Sequence, residues 1–134
     1  MNRSPKDFYP IPLELKGLEP GALNRRRVDE GVEVVAIAGP EGLKVVRDLC
    51  PHMGGPISAG RYCAEDGTLH CPWHGYVFNV ADGRMLRNPN DEMFCKLKGL
   101  YASYKPEKTP QYRLQTLSCE IEAGLAYVHR SGGR

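Results

Sequence analysis

Long apolar runs are missing from these 134 residues. No stretch approaches the roughly 18 apolar residues that a membrane-spanning helix requires, and the opening segment MNRSPKDFYPIP lacks the apolar centre of a secretory signal. The expectation is therefore a cytoplasmic protein with no membrane partner. An excess of one charge is missing too. Lys and Arg number 18 against 16 Asp and Glu, a formal net charge of +2, and such scattered, balanced charge excludes a nucleic-acid footprint. The one basic cluster, Arg25-Arg26-Arg27, reads as a solvated strand edge. No Gly-rich dinucleotide fingerprint occurs, so the chain takes no electrons from a nicotinamide cofactor unaided. Five cysteines cannot all pair, and a reducing cytosol makes a disulfide framework the wrong expectation.

Sustained helical periodicity is also absent, and what is present points to strands. Residues 1–12 hold Pro5, Pro10 and Pro12 and read as an extended tail. A Glu19-Pro20-Gly21 turn separates two short runs. A β-rich run from Val32 to Ala38, a turn at Gly39 to Gly42 and a second run from Leu43 to Leu49 then form a hairpin that leads directly into Cys50. RYCAEDGTLHC repeats the arrangement around Asp66-Gly67, the pair favoured by two-residue hairpins, and leads directly into Cys71. YVFNVADGR reads as a strand and a turn, and a last strand pair surrounds Ala123-Gly124. Residues 87–111 are polar, proline-containing and weakly periodic, an insertion or long connection. The length suits one domain, 1–134, mainly β, a small sandwich or barrel.

The chemistry lies in two similar stretches, CPHMGG from Cys50 and CPWHG from Cys71. The pattern is Cys50-x-His52, eighteen intervening residues, then Cys71-x-x-His74. Two cysteines and two histidines suit either a tetrahedral zinc or a 2Fe-2S cluster with both thiolates on one iron and both imidazoles on the other. Structural zinc sites usually take closely spaced like pairs; here each loop offers one ligand of each kind, which favours the binuclear cluster. His70 precedes Cys71, but strand alternation turns it to the other side, so it is read as non-ligating. His129 is read as an ordinary strand histidine. Cys63, Cys95 and Cys119 are read as buried small apolar residues. Gly54, Gly55 and Gly75 with Pro51, Pro56 and Pro72 shape tight loops. Trp73 is read as a lid over the site or part of a docking face.

These two motifs resemble those of the Rieske iron-sulfur family, over about Leu13 to Leu86 and again from Arg113 to His129. The resemblance implies a Rieske-type fold with a cluster-binding subdomain at about 48–86, two loops at strand tips, and one 2Fe-2S cluster bound by Cys50, His52, Cys71 and His74. In respiratory-chain members a further cysteine on each loop forms a clamping disulfide. The matching positions here are Gly55 and Trp73, so that clamp is absent. The serine and tyrosine that in those members donate hydrogen bonds to sulfur correspond to Tyr76 and Phe78. With fewer donors, the potential is expected toward the low end of the Rieske range of about −150 to +300 mV. The resemblance thus implies a ferredoxin-like electron carrier, not itself an enzyme: a monomer that accepts an electron from a flavin-containing reductase and passes it to a terminal oxygenase. The chain has only four histidines, too few for a second, mononuclear iron site with its own domain. The alternatives are a small subunit of a larger oxidoreductase, such as a nitrite reductase, and a structural zinc module.

Overall fold

The computed structural model describes residues 6–40, 42–51, 55–72, 76–87 and 112–132. Among the described residues ten strands run in chain order: β1 Leu13–Glu14, β2 Asn24–Asp29, β3 Val32–Gly39, β4 Gly42–Arg47, β5 Arg61–Cys63, β6 Thr68–His70, β7 Val77–Asn79, β8 Met85–Arg87, β9 Thr116–Glu122 and β10 Leu125–Gly132. Two single turns of 3-10 helix, Leu15–Gly17 and Ile57–Ala59, are the only helical elements among the described residues. The mainly β expectation holds.

The strands form two sheets, a six-stranded one in the order β1-β10-β9-β4-β3-β2 and a four-stranded one in the order β5-β6-β7-β8. Every ladder within them is antiparallel. The large sheet curls toward closure: at its two ends, the Ile11 N–H donates to the Val28 carbonyl at 3.0 Å. Residues 6–12 hold a turn at 6–7 and bends at 10–11, with an isolated bridge from Phe8 to His129 of β10. Tyr9 N–H reaches the Val128 carbonyl at 2.9 Å, and Arg130 N–H reaches that of Asp7 at 2.7 Å.

The interior is divided by β3, whose residues Val34 to Ile37 are all buried. Side chains alternate across a strand, so Val34 and Ala36 enter one core while Val35 and Ile37 enter the other. The first core fills the curled sheet with Leu13, Val28, Val45, Leu117, Ala126 and Val128. The second joins the two sheets through Val46, Ile57, Leu69, Tyr76, Phe78 and Leu114. Each fully buried Val, Leu, Ile or Phe contributes about 1.5–3 kcal/mol relative to exposure, so β3 is fixed from both sides. Cys50 and Cys71 belong to the second core.

Turn chemistry followed the sequence in one hairpin and departed from it in another. Ala123 and Gly124 both take positive φ, 52° and 81°, as the favoured two-residue turn demands. Between β5 and β6 the expected two-residue turn is instead a four-residue loop, Ala64 to Gly67, closed by Gly67 N–H on the Cys63 carbonyl at 2.9 Å. Gly67 has φ of 66° whereas Asp66 does not enter the positive region, so the paired positive angles of that turn are not formed. Asp66 instead accepts from the Cys63 thiol, Sγ to Oδ2 3.4 Å.

Candidate metal centre

Both cysteine motifs start where strands end. Cys50 follows β4 by three residues and Cys71 directly follows β6. Their loops close in the same way: Cys50 N–H donates to the Gly55 carbonyl at 2.7 Å, and Cys71 N–H donates to the Tyr76 carbonyl at 2.8 Å. In each case the bond spans five residues and brings the two feet of the loop together. The likeness seen in the letters is thus matched at the feet of the two loops by equivalent closing hydrogen bonds.

Cys50 is fully buried and Cys71 nearly so, and neither is in a disulfide. Two buried thiols in one core, each at the foot of a short closed loop, fit the thiolate half of an iron-sulfur cluster. His52 and His74 lie outside the described residues, as do Gly54, Trp73, Gly75, Cys95 and positions 88–111 of the expected insertion. Among the described residues no group of three or more His, Cys, Asp and Glu converges on a possible metal position.

The first loop is held by a polar network that sequence reading missed. Asp48, two residues before Cys50, has a side chain only 1% exposed. Its Oδ1 accepts from Ser58 N–H at 2.7 Å and its Oδ2 from the Ser58 hydroxyl at 2.8 Å. Arg25 Nε lies 3.0 Å from Oδ2, and the same guanidinium contacts Glu33 at 2.7 Å. The carboxylate therefore ties the two flanks of the loop together and links them to β2 and β3 of the large sheet. A buried carboxylate needs such partners, because an uncompensated charge is expensive. The Arg25-Arg26-Arg27 cluster does occupy the edge strand β2, yet Arg25 also serves this network. Nothing in the local sequence marks Asp48, since its partners stand ten and twenty-three positions away.

The second loop is held by rings. Tyr76 and Phe78 are buried and stacked with centroids 6.4 Å apart, and Tyr112 meets Tyr76 edge-on at 5.7 Å. Phe78 faces the core between the sheets and brings no hydroxyl. The two loops abut at Gly60, where a Cβ would collide with the His70 carbonyl oxygen. Only glycine lets the strand leaving the first loop lie against the residue that precedes Cys71.

His70 lies on the opposite face of the small sheet from Leu69, and its ring Nε2 is 3.4 Å from the Thr68 hydroxyl. Its pKa is lowered by burial first and then by the Arg61 and Arg87 guanidiniums, against a smaller opposing effect of Asp66. His129 pairs with Glu120 at 3.5 Å and packs on Phe8 with centroids 4.3 Å apart, a structural role in β10.

Comparison with known proteins agrees with this geometry. A family model described as Rieske [2Fe-2S] domain matches residues 13–110. Chlorophyllide a oxygenase, chloroplastic, of Chlamydomonas reinhardtii is 36% identical over 106 residues, covering 79% of this chain and 14% of that protein. The vanillate O-demethylase oxygenase subunit of Pseudomonas sp. is 37% identical over 62 residues, covering 46% of this chain and 17% of that protein. The chain thus spans only a small part of these relatives' length. Among solved structures, the ferredoxin of carbazole 1,9a-dioxygenase from Nocardioides aromaticivorans IC177 superposes with a TM-score of 0.65 at 19% identity, over 92% of this chain and 99% of that one. That likeness establishes a shared fold.

Proposed function

The chain belongs to the Rieske [2Fe-2S] domain family, and from that premise we propose that it works as a ferredoxin-like electron carrier. Its cofactor is one [2Fe-2S] cluster. Cys50 and Cys71 would hold one iron through their thiolates, and His52 and His74 the other through imidazole nitrogens. When bound, the cluster takes up and gives back a single electron. The observation that carries the reading is the pair of buried thiols, each at the foot of a loop closed by the same five-residue hydrogen bond.

The chain's own residues supply the rest. The core around Cys50 and Cys71 keeps water from the sulfurs, while the Asp48 network and the Tyr76–Phe78–Tyr112 rings set the two loops against each other. Phe78, lacking a hydroxyl, offers no hydrogen bond that would stabilise the reduced state. The midpoint therefore belongs toward the low end of about −150 to +300 mV. The donor would be a flavin-containing reductase and the acceptor a terminal oxygenase, with the chain acting as a cytoplasmic monomer.

The purified protein should be red-brown, with two irons per chain and reversible one-electron reduction. A colourless protein holding one zinc overturns the proposal. A redox titration placing the midpoint near the top of the range would refute the argument from Phe78.

A further inference from the structure

The polar network at the first loop holds more charge than closure of that loop requires. Two hydrogen-bonded closures are nested around residues 50–55. The inner one is Cys50 N–H on the Gly55 carbonyl at 2.7 Å. The outer one is the Asp48 carboxylate on Ser58, which donates its N–H to Oδ1 at 2.7 Å and its hydroxyl to Oδ2 at 2.8 Å. Ser58 sits in the 3-10 turn Ile57–Ala59, and Ile57 packs in the same core as Cys50. Ser58 alone supplies a donor to each carboxylate oxygen, so closure needs no cation.

Arg25 adds one. The register sets Arg25 opposite Val35, and directly opposed residues share a face, so its side chain starts from the face that Val35 turns toward the core between the sheets. Its Nε lies 3.0 Å from Asp48 Oδ2 and its Nη2 2.7 Å from Glu33 Oε2. Glu33 is tied to Asp48 a second time, through its carbonyl, which accepts from Asp48 N–H at 2.9 Å. One guanidinium and two carboxylates leave one formal negative charge, and Asp48 stands two residues before Cys50. The Asp48 side chain is 1% exposed, whereas those of Arg25 and Glu33 are 54% and 41% exposed. A buried charge is screened far less than a surface one. The Asp48 carboxylate therefore opposes uptake of an electron at the site, and the Arg25 guanidinium offsets that opposition.

We propose that Arg25 is a positioning residue that acts through Asp48 to set the midpoint potential of the site, with Glu33 limiting its effect from the solvent side. The inference rests on the electron-carrier reading and deepens it by naming the charges on the large sheet that regulate the site. Arg25 raises the midpoint because its charge favours the reduced state; Glu33 lowers it.

Redox titration of the cluster-loaded chain, followed by its visible spectrum, reads the midpoint. Arg25→Gln keeps amide donors but removes the charge. At the parent's midpoint it should reduce the ratio of reduced to oxidised chain at least about threefold, a fall of about 28 mV at about 59 mV per tenfold for one electron. Glu33→Gln should shift the midpoint in the opposite direction. Arg25→Lys, which keeps the charge, should hold the parent's midpoint even where it costs stability. Lys16→Gln makes the same charge change at an exposed position outside the network and should leave the midpoint in place. Added salt should shrink the shift of Arg25→Gln, because the guanidinium is half-exposed. A purely bracing role would move Arg25→Gln and Glu33→Gln in the same direction, since each loosens the same loop. Like-signed shifts therefore overturn the proposal, as does a Lys16→Gln shift equal to that of Arg25→Gln, or no shift in any variant. Should Arg25→Gln lose its cluster, Glu33→Gln read against Lys16→Gln decides alone: a rise supports the proposal, and no rise overturns it. The electron-carrier reading stands in all of these outcomes. A parent chain that binds no cluster would instead overturn that reading and the inference with it.

Discussion

The two cysteine loops share one backbone closure and differ in almost everything that supports it. The first is clamped by charge and hydrogen bonds: Asp48 joins Ser58 across the loop and Arg25 in the neighbouring sheet. The second is clamped by apolar packing of Tyr76, Phe78 and Tyr112. Equivalent presentation of two thiols can thus be reached by unlike physical means, because a loop's geometry depends on its feet being fixed and not on what fixes them.

The strongest way to break the comparison is at the ligands, where the loops should behave alike. Cys50→Ser and Cys71→Ser should each bring iron from two per chain to near zero with loss of visible colour; retention of full colour in either refutes the ligand assignment. At the supports the loops should part. Asp48→Ala leaves the Ser58 N–H and hydroxyl without their acceptor and should lower stability by about 2 kcal/mol, read by thermal or denaturant unfolding of the loaded protein. Asp48→Asn, which keeps an acceptor oxygen but not the charge, should lose less. Tyr112→Ala removes the edge contact on Tyr76 and should cost about 1 kcal/mol beyond the apolar area lost. Added salt should lessen the effect of Asp48→Ala, through the half-exposed Arg25, and leave that of Tyr112→Ala unchanged.

The smallest effect contrasts the two sheets rather than the two loops. Burial pushes the Cys119 thiol up from its ordinary value, so it stays protonated as pH rises and reacts slowly. Cys63, at the sheet's turn end and bonded to Asp66, is partly exposed. Iodoacetamide near pH 8, followed by mass spectrometry, should label Cys63 several-fold faster than Cys119.

Much of the fold was legible because strand patterns are local. The run from Val32 to Leu49 forms β3 and β4 around the expected turn, and Ala123-Gly124 turns β9 into β10. The β5–β6 loop was misread because Asp66-Gly67 matches the two-residue turn in type, while the chain there takes four residues and uses Asp66 to hold a thiol. The division of β3 between two cores could not be read from VEVVAIAG, since a strand buried on both faces loses its alternation. Arg25 illustrates the same limit. Its neighbours mark an exposed edge, and only the approach of Asp48 gives it a buried partner.

The sequence by itself determined the candidate Cys and His residues, their spacing and the presence of strands to carry them, because those depend on side-chain chemistry and short-range geometry. CPHMGG and CPWHG name the chemistry without any neighbour's help. Tertiary structure alone decided what braces each loop and which charges surround it. Asp48 meets Arg25, Tyr76 meets Tyr112, and Arg61 aligns with Arg87 only after residues tens of positions apart are brought together. Electrostatics and packing act through space, so their partners are set by strand register and not by order along the chain.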